Sequence, residues 1–217
     1  MPKNLWVFHP SPNLVETMDS LIKTAAPKLI YETIIFPDLL SQAIQEGLTD
    51  SVQTKVEEAV LSMPEGSDNL MLCTCSTIGG IAEQIGHQNS RQVLRIDRPM
   101  GEQAIKTGGL IGVCAALAST LGPTVDMLHA IAKEKRHSVK IKPLLCEGAW
   151  EKKKQGDDVG YIKDVANFLR ENLQGFNVIV LAQGSMAPVK DILGATTVPI
   201  LSSPQLAVNT VLTVLKG

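Results

Sequence analysis

Short apolar runs alternate along the chain with longer stretches whose apolar residues recur every three or four positions, the pattern of strands joined by amphipathic helices. In the first half the runs Leu5–His9, Lys28–Phe36, Asn69–Cys75 and Gln92–Asp97 read as strands. Between them, the spacing of Leu14, Met18, Leu21, Ile22 and Ala25 predicts a helix, and further helices are expected at Leu39–Gly47 and Asp50–Ser62. The second half reads the same way. Strands are expected at Leu110–Ala115, Ser138–Cys146, Val178–Gln183 and Val198–Ser202, and helices at Pro123–Lys135, Asp157–Leu173, Pro188–Leu193 and Gln205–Leu215. The first of these helices is expected to open on its proline, whose missing N–H costs nothing there. Strands that alternate with helices imply βαβ units and a mainly parallel sheet.

The two halves repeat one design. Val7 and Val113, Ile34 and Ile141, Cys75 and Gln183, and Arg95 and Ile200 are nearly equally spaced pairs, although few residues are identical. The expected fold class is therefore α/β: two pseudo-symmetric Rossmann-like lobes, each with a mainly parallel four-stranded sheet, with the active site in the cleft between them. The first lobe is expected to cover residues 1–98, completed by a C-terminal helix at 204–217, and the second residues 99–203. A chain of 217 residues divides naturally into two such lobes.

Composition narrows the function. Basic and acidic residues number 20 and 22, so there is no strongly basic surface for a phosphate backbone, and no nucleic-acid partner is expected. Aromatic residues are only 4%, too few for a base-stacking platform. No run approaches the ~20 apolar residues of a membrane span, and the N-terminus lacks an apolar leader, so a cytoplasmic protein without a membrane partner is expected. The four cysteines, Cys73, Cys75, Cys114 and Cys146, lie in or beside apolar runs and are expected to be reduced thiols.

Candidate chemistry gathers at the strand ends. These read His9-Pro10-Ser11-Pro12, Cys73-Thr74-Cys75-Ser76-Thr77-Ile78-Gly79-Gly80, Ala118-Ser119-Thr120, Cys146-Glu147-Gly148 and Gln183-Gly184-Ser185-Met186. Cys73, inside its apolar run, reads as a core thiol. Cys75 is followed by polar residues and a helical pattern, so helix-terminal amides are expected to favour its thiolate and to lower its pKa; a plain buried thiol is the alternative. The same amides, with the hydroxyls of Ser76 and Thr77, suit a carboxylate. The scattered histidines (His9, His87, His129, His137) supply no metal set around Cys73 and Cys75, and neither a P-loop nor a G-x-G-x-x-G follows the first strand. Gly79-Gly80 and Gly108-Gly109 read as turn and helix-start glycines. Lys133-Glu134-Lys135-Arg136 reads as a solvated helix end, and Trp150 as a partly buried core residue.

Thr74-Cys75-Ser76-Thr77 after an apolar strand, in two matching α/β lobes, resembles the aspartate/glutamate racemase superfamily. That superfamily includes hydantoin racemase, maleate isomerase and arylmalonate decarboxylase, and the likeness is nearest to a poorly characterised branch of Asp/Glu racemase family proteins that lacks the second catalytic cysteine. The resemblance runs over essentially the whole chain. It is carried also by His9-Pro10-Ser11-Pro12-Asn13-Leu14-Val15, Arg95-Ile96-Asp97-Arg98-Pro99-Met100, Leu121-Gly122-Pro123-Thr124 and Leu181-Ala182-Gln183-Gly184-Ser185-Met186-Ala187. In that superfamily two cysteines face each other across the substrate, without any cofactor. The resemblance maps the first onto Cys75, whereas the second falls on Gln183-Gly184-Ser185, and Cys114 and Cys146 lie on other strands. It places His9 where an acidic residue tunes the first thiol, and Glu147 where a glutamate neighbours the second. Ser119 and Thr120 match a carboxylate-binding hydroxyl pair, with helix capping as the ordinary alternative. Ser11, Ser76, Thr77, Gln183 and Ser185 complete the expected substrate-binding set.

What the resemblance implies is a cofactor-independent racemase-like isomerase, acting beside the carboxylate of a small amino or hydroxy (di)acid. Cys75 would be the thiolate base, with His9 and Glu147 as further catalytic groups and a homodimer among the assemblies it allows. Glutamine cannot accept and return a proton at neutral pH. A one-thiol lyase, decarboxylase or hydrolase using Cys75 and a non-catalytic carboxylate-binding protein are therefore the alternatives.

Overall fold

The computed structural model describes residues 3–216, which fold as two compact units. One runs to Pro99 and resumes at Pro204; the other is Met100–Ser203.

The first unit holds β1 (Asn4–His9), β2 (Tyr31–Ile35), β3 (Asn69–Cys73) and β4 (Gln92–Arg95) in one sheet of order β2-β1-β3-β4. All neighbours are parallel, with Phe8 beside Ile34 on one flank and Cys73 on the other. Helices α1 (Val15–Ala25), α2 (Leu39–Glu46), α3 (Asp50–Ser62), α4 (Ser76–Gln88) and the start of α5 (Arg98–Thr107) fill the connections. The period-two alternation of strand side chains assigns the two faces. Phe8, Met71 and Cys73 enter a core with Val52, Val56 and Ile78. Leu5, Val7, Leu70 and Leu72 enter another with Met18, Ile22 and three residues of the last helix, Ala207, Val208 and Val211. Both faces are covered, which is why β3, Asn69-Leu70-Met71-Leu72-Cys73, is buried throughout.

The second unit repeats the plan with β5 (Gly109–Ala115), β6 (Val139–Leu145), β7 (Val178–Leu181) and β8 (Ile200–Ser202), in order β6-β5-β7-β8 and again all parallel. Its helices are the rest of α5, then α6 (Ala118–Lys135), α7 (Ala149–Lys154), α8 (Asp158–Asn172) and α9 (Val189–Leu193); α10 (Ser203–Lys216) closes the chain. Cys114, Cys146, Tyr161, Val165, Leu169, Ile179 and Leu181 share its core. The α/β class and the pair of parallel four-stranded sheets are as the sequence pattern predicts.

Three details differ. Helix α6 opens at Ala118, so Pro123 lies within it rather than at its start. A proline so near the N-terminus deprives only the Ser119 carbonyl of its i→i−4 partner, a tolerable loss beside a helix begun directly at a strand end. Helices α5 and α7 have no counterpart in the sequence reading; both are short and polar, with α7 burying only Ala149. Strands β2, β3, β4, β6 and β7 also end earlier than expected, whereas β1, β5 and β8 end where expected; β3 stops at Cys73, which leaves Cys75 to the following helix. Among the described residues, no helix is long and apolar enough to cross a membrane.

Candidate functional site

At the end of β3 the chain turns directly into α4. Cys75 is the last extended residue (φ −134°, ψ 121°) and the N-cap of that helix, and it is buried with Ser76 and Thr77 after it. Two opposing effects act on its thiol. Burial pushes the pKa up, while the amides of Ile78 and Thr77 and the Thr77 hydroxyl pull it down; burial wins, so Cys75 titrates above an ordinary thiol. This reverses the lowered value expected from helix position alone. The dipole and amides are in place, but little water reaches the sulfur to help them. Cys73, wholly enclosed, is pushed up as well, chiefly by burial.

His9 ends β1 and is buried. Its Nδ1 lies 2.9 Å from Thr74 Oγ1, and the same hydroxyl is 3.1 Å from the Phe8 carbonyl, to which it donates. The structure thus ties His9 to Thr74, the residue before Cys75. Burial lowers the His9 pKa to about 4, so the ring is neutral at neutral pH.

Beneath the first turn of α4 lies a cluster the sequence reading did not single out. Arg95 donates Nε and Nη2 to the Asp97 carboxylate at 2.6 and 2.9 Å, and Nη2 also reaches the Ser76 carbonyl at 3.3 Å. Its backbone N–H donates to Glu83 at 3.3 Å. Gly79 and Gly80 find their reason here. A Cβ on Gly79 would stand 2.9 Å from Arg95 Cβ, and one on Gly80 3.3 Å from Nη1. These glycines admit the arginine against the helix, instead of making a turn.

In the second unit Gln183 is the corresponding N-cap, extended (φ −112°, ψ 129°) ahead of a short 3-10 turn, Gly184–Met186. The equivalence follows from matching bonds. Thr74 N–H donates to Phe8 O at 2.9 Å in one unit, and Ala182 N–H to Cys114 O at 2.8 Å in the other. Cys75 and Gln183 are the next residues. Likewise Phe36 N–H donates to His9 O and Cys146 N–H to Ala115 O, so Cys146 occupies the place of Phe36 and is no second copy of Cys75. By register the counterpart of Ile34 is Leu144, three residues beyond the expected Ile141, and that of Arg95 is Ser202, two beyond the expected Ile200.

The buried Gln183 side chain accepts the Ala116 N–H at 2.7 Å through Oε1. A backbone amide can only donate, so the oxygen is committed there and the NH2 group is left as a donor. Ser119 Oγ is buried without a hydrogen-bond partner among the described residues, and Thr120 beside it is buried. Ser185 pairs with the buried Tyr161 hydroxyl at 3.1 Å. Glu147 is exposed, and the half-buried Ser11 precedes a 3-10 turn (Pro12–Leu14) without capping it by its side chain. Trp150 stacks edge-on against Tyr161 at 6.0 Å, as a core residue would. His9, Thr74, Cys75, Ser76 and Thr77 thus gather in one unit, and Ser119, Thr120, Gln183 and Ser185 belong to the other. All four cysteines are free and buried, and among the described residues no three His, Cys, Asp or Glu side chains are grouped to hold a metal ion.

No protein-family model matches the sequence, and no curated protein is similar to it by sequence. Solved structures do match. A glutamate racemase from Bacillus anthracis superposes with a TM-score of 0.71 at 18% identity, over 100% of this chain and 82% of that one. An allantoin racemase from Pseudomonas fluorescens gives 0.65 at 15% identity, over 98% and 91% of the two chains. A variant arylmalonate decarboxylase in a sulfate-associated form gives 0.58 at 15% identity, over 100% and 94%. The chain has the fold shared by these racemases and the decarboxylase.

Proposed function

We propose that this chain, on the fold of the aspartate/glutamate racemases, is a cofactor-independent enzyme that moves a proton at the carbon next to the carboxylate of a small amino or hydroxy (di)acid. The observation that carries the reading is Cys75, a buried thiol capping the helix whose first-turn amides and hydroxyls, Ser76 and Thr77, suit an anion.

A proton beside a carboxylate is weakly acidic, so its removal needs a strong base and donors aimed at the charge that develops on the carboxylate oxygens. Burial serves the first need. It keeps Cys75 protonated at rest and makes its thiolate a stronger base once formed. Neutral His9, tied to the residue before Cys75, is the group to orient the thiol by accepting its hydrogen bond, and Glu147 is the acid/base of the second unit. For the second need, Ser11, Ser76, Thr77, Ser119, Thr120 and Ser185 are the hydroxyls, and the Gln183 NH2 is a fixed donor in the position a second thiol would occupy. Each well-placed donor is worth about 3–4 kcal/mol of barrier.

With one thiol, the proton leaves and returns on one face. Exchange of the α-hydrogen is therefore expected to outrun racemisation. The test is a panel of amino, hydroxy and unsaturated diacids in D2O, followed by NMR. Deuterium should enter the α-carbon, and Cys75→Ser should slow this at least about 100-fold. If no acid exchanges while one of them stabilises the wild type and Cys75→Ser equally, the chain is a binding protein. Loss of CO2 from malonates that depends on Cys75, without exchange into unreacted acids, would replace the reading with a one-thiol decarboxylase.

A further inference from the structure

The Thr74 hydroxyl stands between two groups with only one proton to give. It lies 3.1 Å from the Phe8 carbonyl and 2.9 Å from His9 Nδ1. A carbonyl oxygen cannot donate, and two oxygens at that separation repel unless a hydrogen lies between them. The hydroxyl proton is therefore spent on Phe8 O. What remains for His9 is the lone pair of Oγ1, which requires a hydrogen on Nδ1.

We infer that Thr74 is a positioning residue that holds neutral His9 in its Nδ1–H tautomer and so fixes Nε2 as the ring's acceptor nitrogen. The inference deepens the proposed reaction, on which its functional part rests: Nε2 is then ready to accept a hydrogen bond from a thiol or from a substrate. The opposite tautomer would present an N–H there, able to donate but not to accept. The anchoring is built into the sheet. Phe8 O also accepts the Thr74 backbone N–H at 2.9 Å, so hydroxyl and amide of one residue grip the same carbonyl at the end of β1. His9 and Thr74 are both buried, so water does not compete freely for the pair.

The tautomer can be read without any turnover. In 15N-labelled protein at pH 7, long-range 1H–15N correlation spectra distinguish protonated from bare ring nitrogens, and His9→Asn identifies the His9 signals among the four histidines. The wild type should show His9 protonated at Nδ1. Thr74→Ser keeps a hydroxyl and should keep the tautomer; Thr74→Val leaves Nδ1–H without an acceptor and should shift His9 toward Nε2–H. Exchange at the substrate α-carbon should fall about 100-fold in kcat for Thr74→Val, with KM little changed, and recover in Thr74→Ser. A wild-type His9 protonated at Nε2, or a Thr74→Val protein with the tautomer unaltered, overturns the inference. The wild-type and Thr74→Ser spectra decide it even if Thr74→Val does not fold. If the tautomer is as inferred but no acid exchanges, the proposed reaction fails and the positioning role stands.

Discussion

A histidine enclosed at the end of a parallel strand must either find a counter-charge or give up its own. Among the described residues His9 meets the Thr74 hydroxyl, and burial lowers its pKa from 6.5 to about 4. The consequence for stability has a definite sign. Between those two values the unfolded chain binds a proton that the folded chain refuses, so stability falls as pH drops from 6.5 toward 4. At pH 7 both states are neutral at this residue and nothing is lost. The full effect is about 3 kcal/mol by the pKa difference. Urea unfolding of wild type and His9→Gln across this range should show the wild type losing more stability than the variant on acidification. Equal slopes would mean that His9 is charged in the fold. How much of this neighbourhood was legible beforehand depends on the residue. Cys75 was visible because polar residues follow an apolar run. Thr74 was not, because a threonine at a strand end reads as strand, and only pairing of β1 with β3 brings it to His9. Arg95, Asp97 and Glu83 were hidden for a similar reason: a charge run or motif records neighbours in sequence, whereas this cluster joins a strand end to a helix above it.

At the scale of elements, α4 matters most because it carries Cys75, Ser76 and Thr77 on its first turn. Its opposite end is fixed by Gly86. A Cβ there would meet Val93 Cγ2 at 2.5 Å and the Arg91 carbonyl oxygen at 2.9 Å. The valine side chain is able to turn aside, but the carbonyl belongs to the backbone entering β4 and is not, so Gly86→Ala should cost about 1–3 kcal/mol despite alanine's better helix propensity. Gly122, inside α6, is the control: a Cβ there would meet nothing within 4 Å. Gly122→Ala should stabilise by about 0.5–1 kcal/mol. Thermal melts of the two variants are thus expected to move in opposite directions. A shared direction would show that propensity alone, or crowding alone, rules these helices. The apolar periodicity found the strands and the long helices, because burying two sheet faces demands it. It missed α7, which buries only Ala149, and α5, whose buried face of Met100, Gly101, Ala104 and Ile105 includes two small residues that a hydrophobic pattern passes over; it placed the start of α6 on a proline because the apolar run of β5 continues through Ala116, Leu117 and Ala118 and hides the boundary.

The whole molecule is a duplicated plan whose equivalent strand ends carry different chemistry. Hydrogen bonds that close β1 on β3 recur where β5 meets β7, and the residues that follow are a thiol in one unit and an amide in the other. The repeat was legible from strand spacing, although the true counterparts of Ile34 and Arg95 were not, since spacing alone cannot show where extra residues enter. The duplication is also interrupted. The first unit leaves the chain at Pro99 and is finished only by α10, whose Ala207, Val208 and Val211 lie in one core with Leu5, Val7, Leu70 and Leu72. During synthesis, therefore, the sheet that carries Cys75 waits for the last helix before one of its faces is dry. Shortening a single side chain in α10 tests that dependence. Val211→Ala removes two buried methyl groups and leaves a space that a helix clamped on a sheet closes only in part, at a cost of about 2 kcal/mol. Native-state hydrogen exchange should then quicken in β1 and β3, whose Leu5, Val7, Leu70 and Leu72 face the altered core. If α10 only decorated the surface, β1 and β3 would exchange as in the wild type. Protection in β5 and β7 reports a separate property, since their core shares no residue with this one. Unchanged exchange there alongside faster exchange in β1 and β3 would mean that the units open independently, and equal acceleration that they unfold as one.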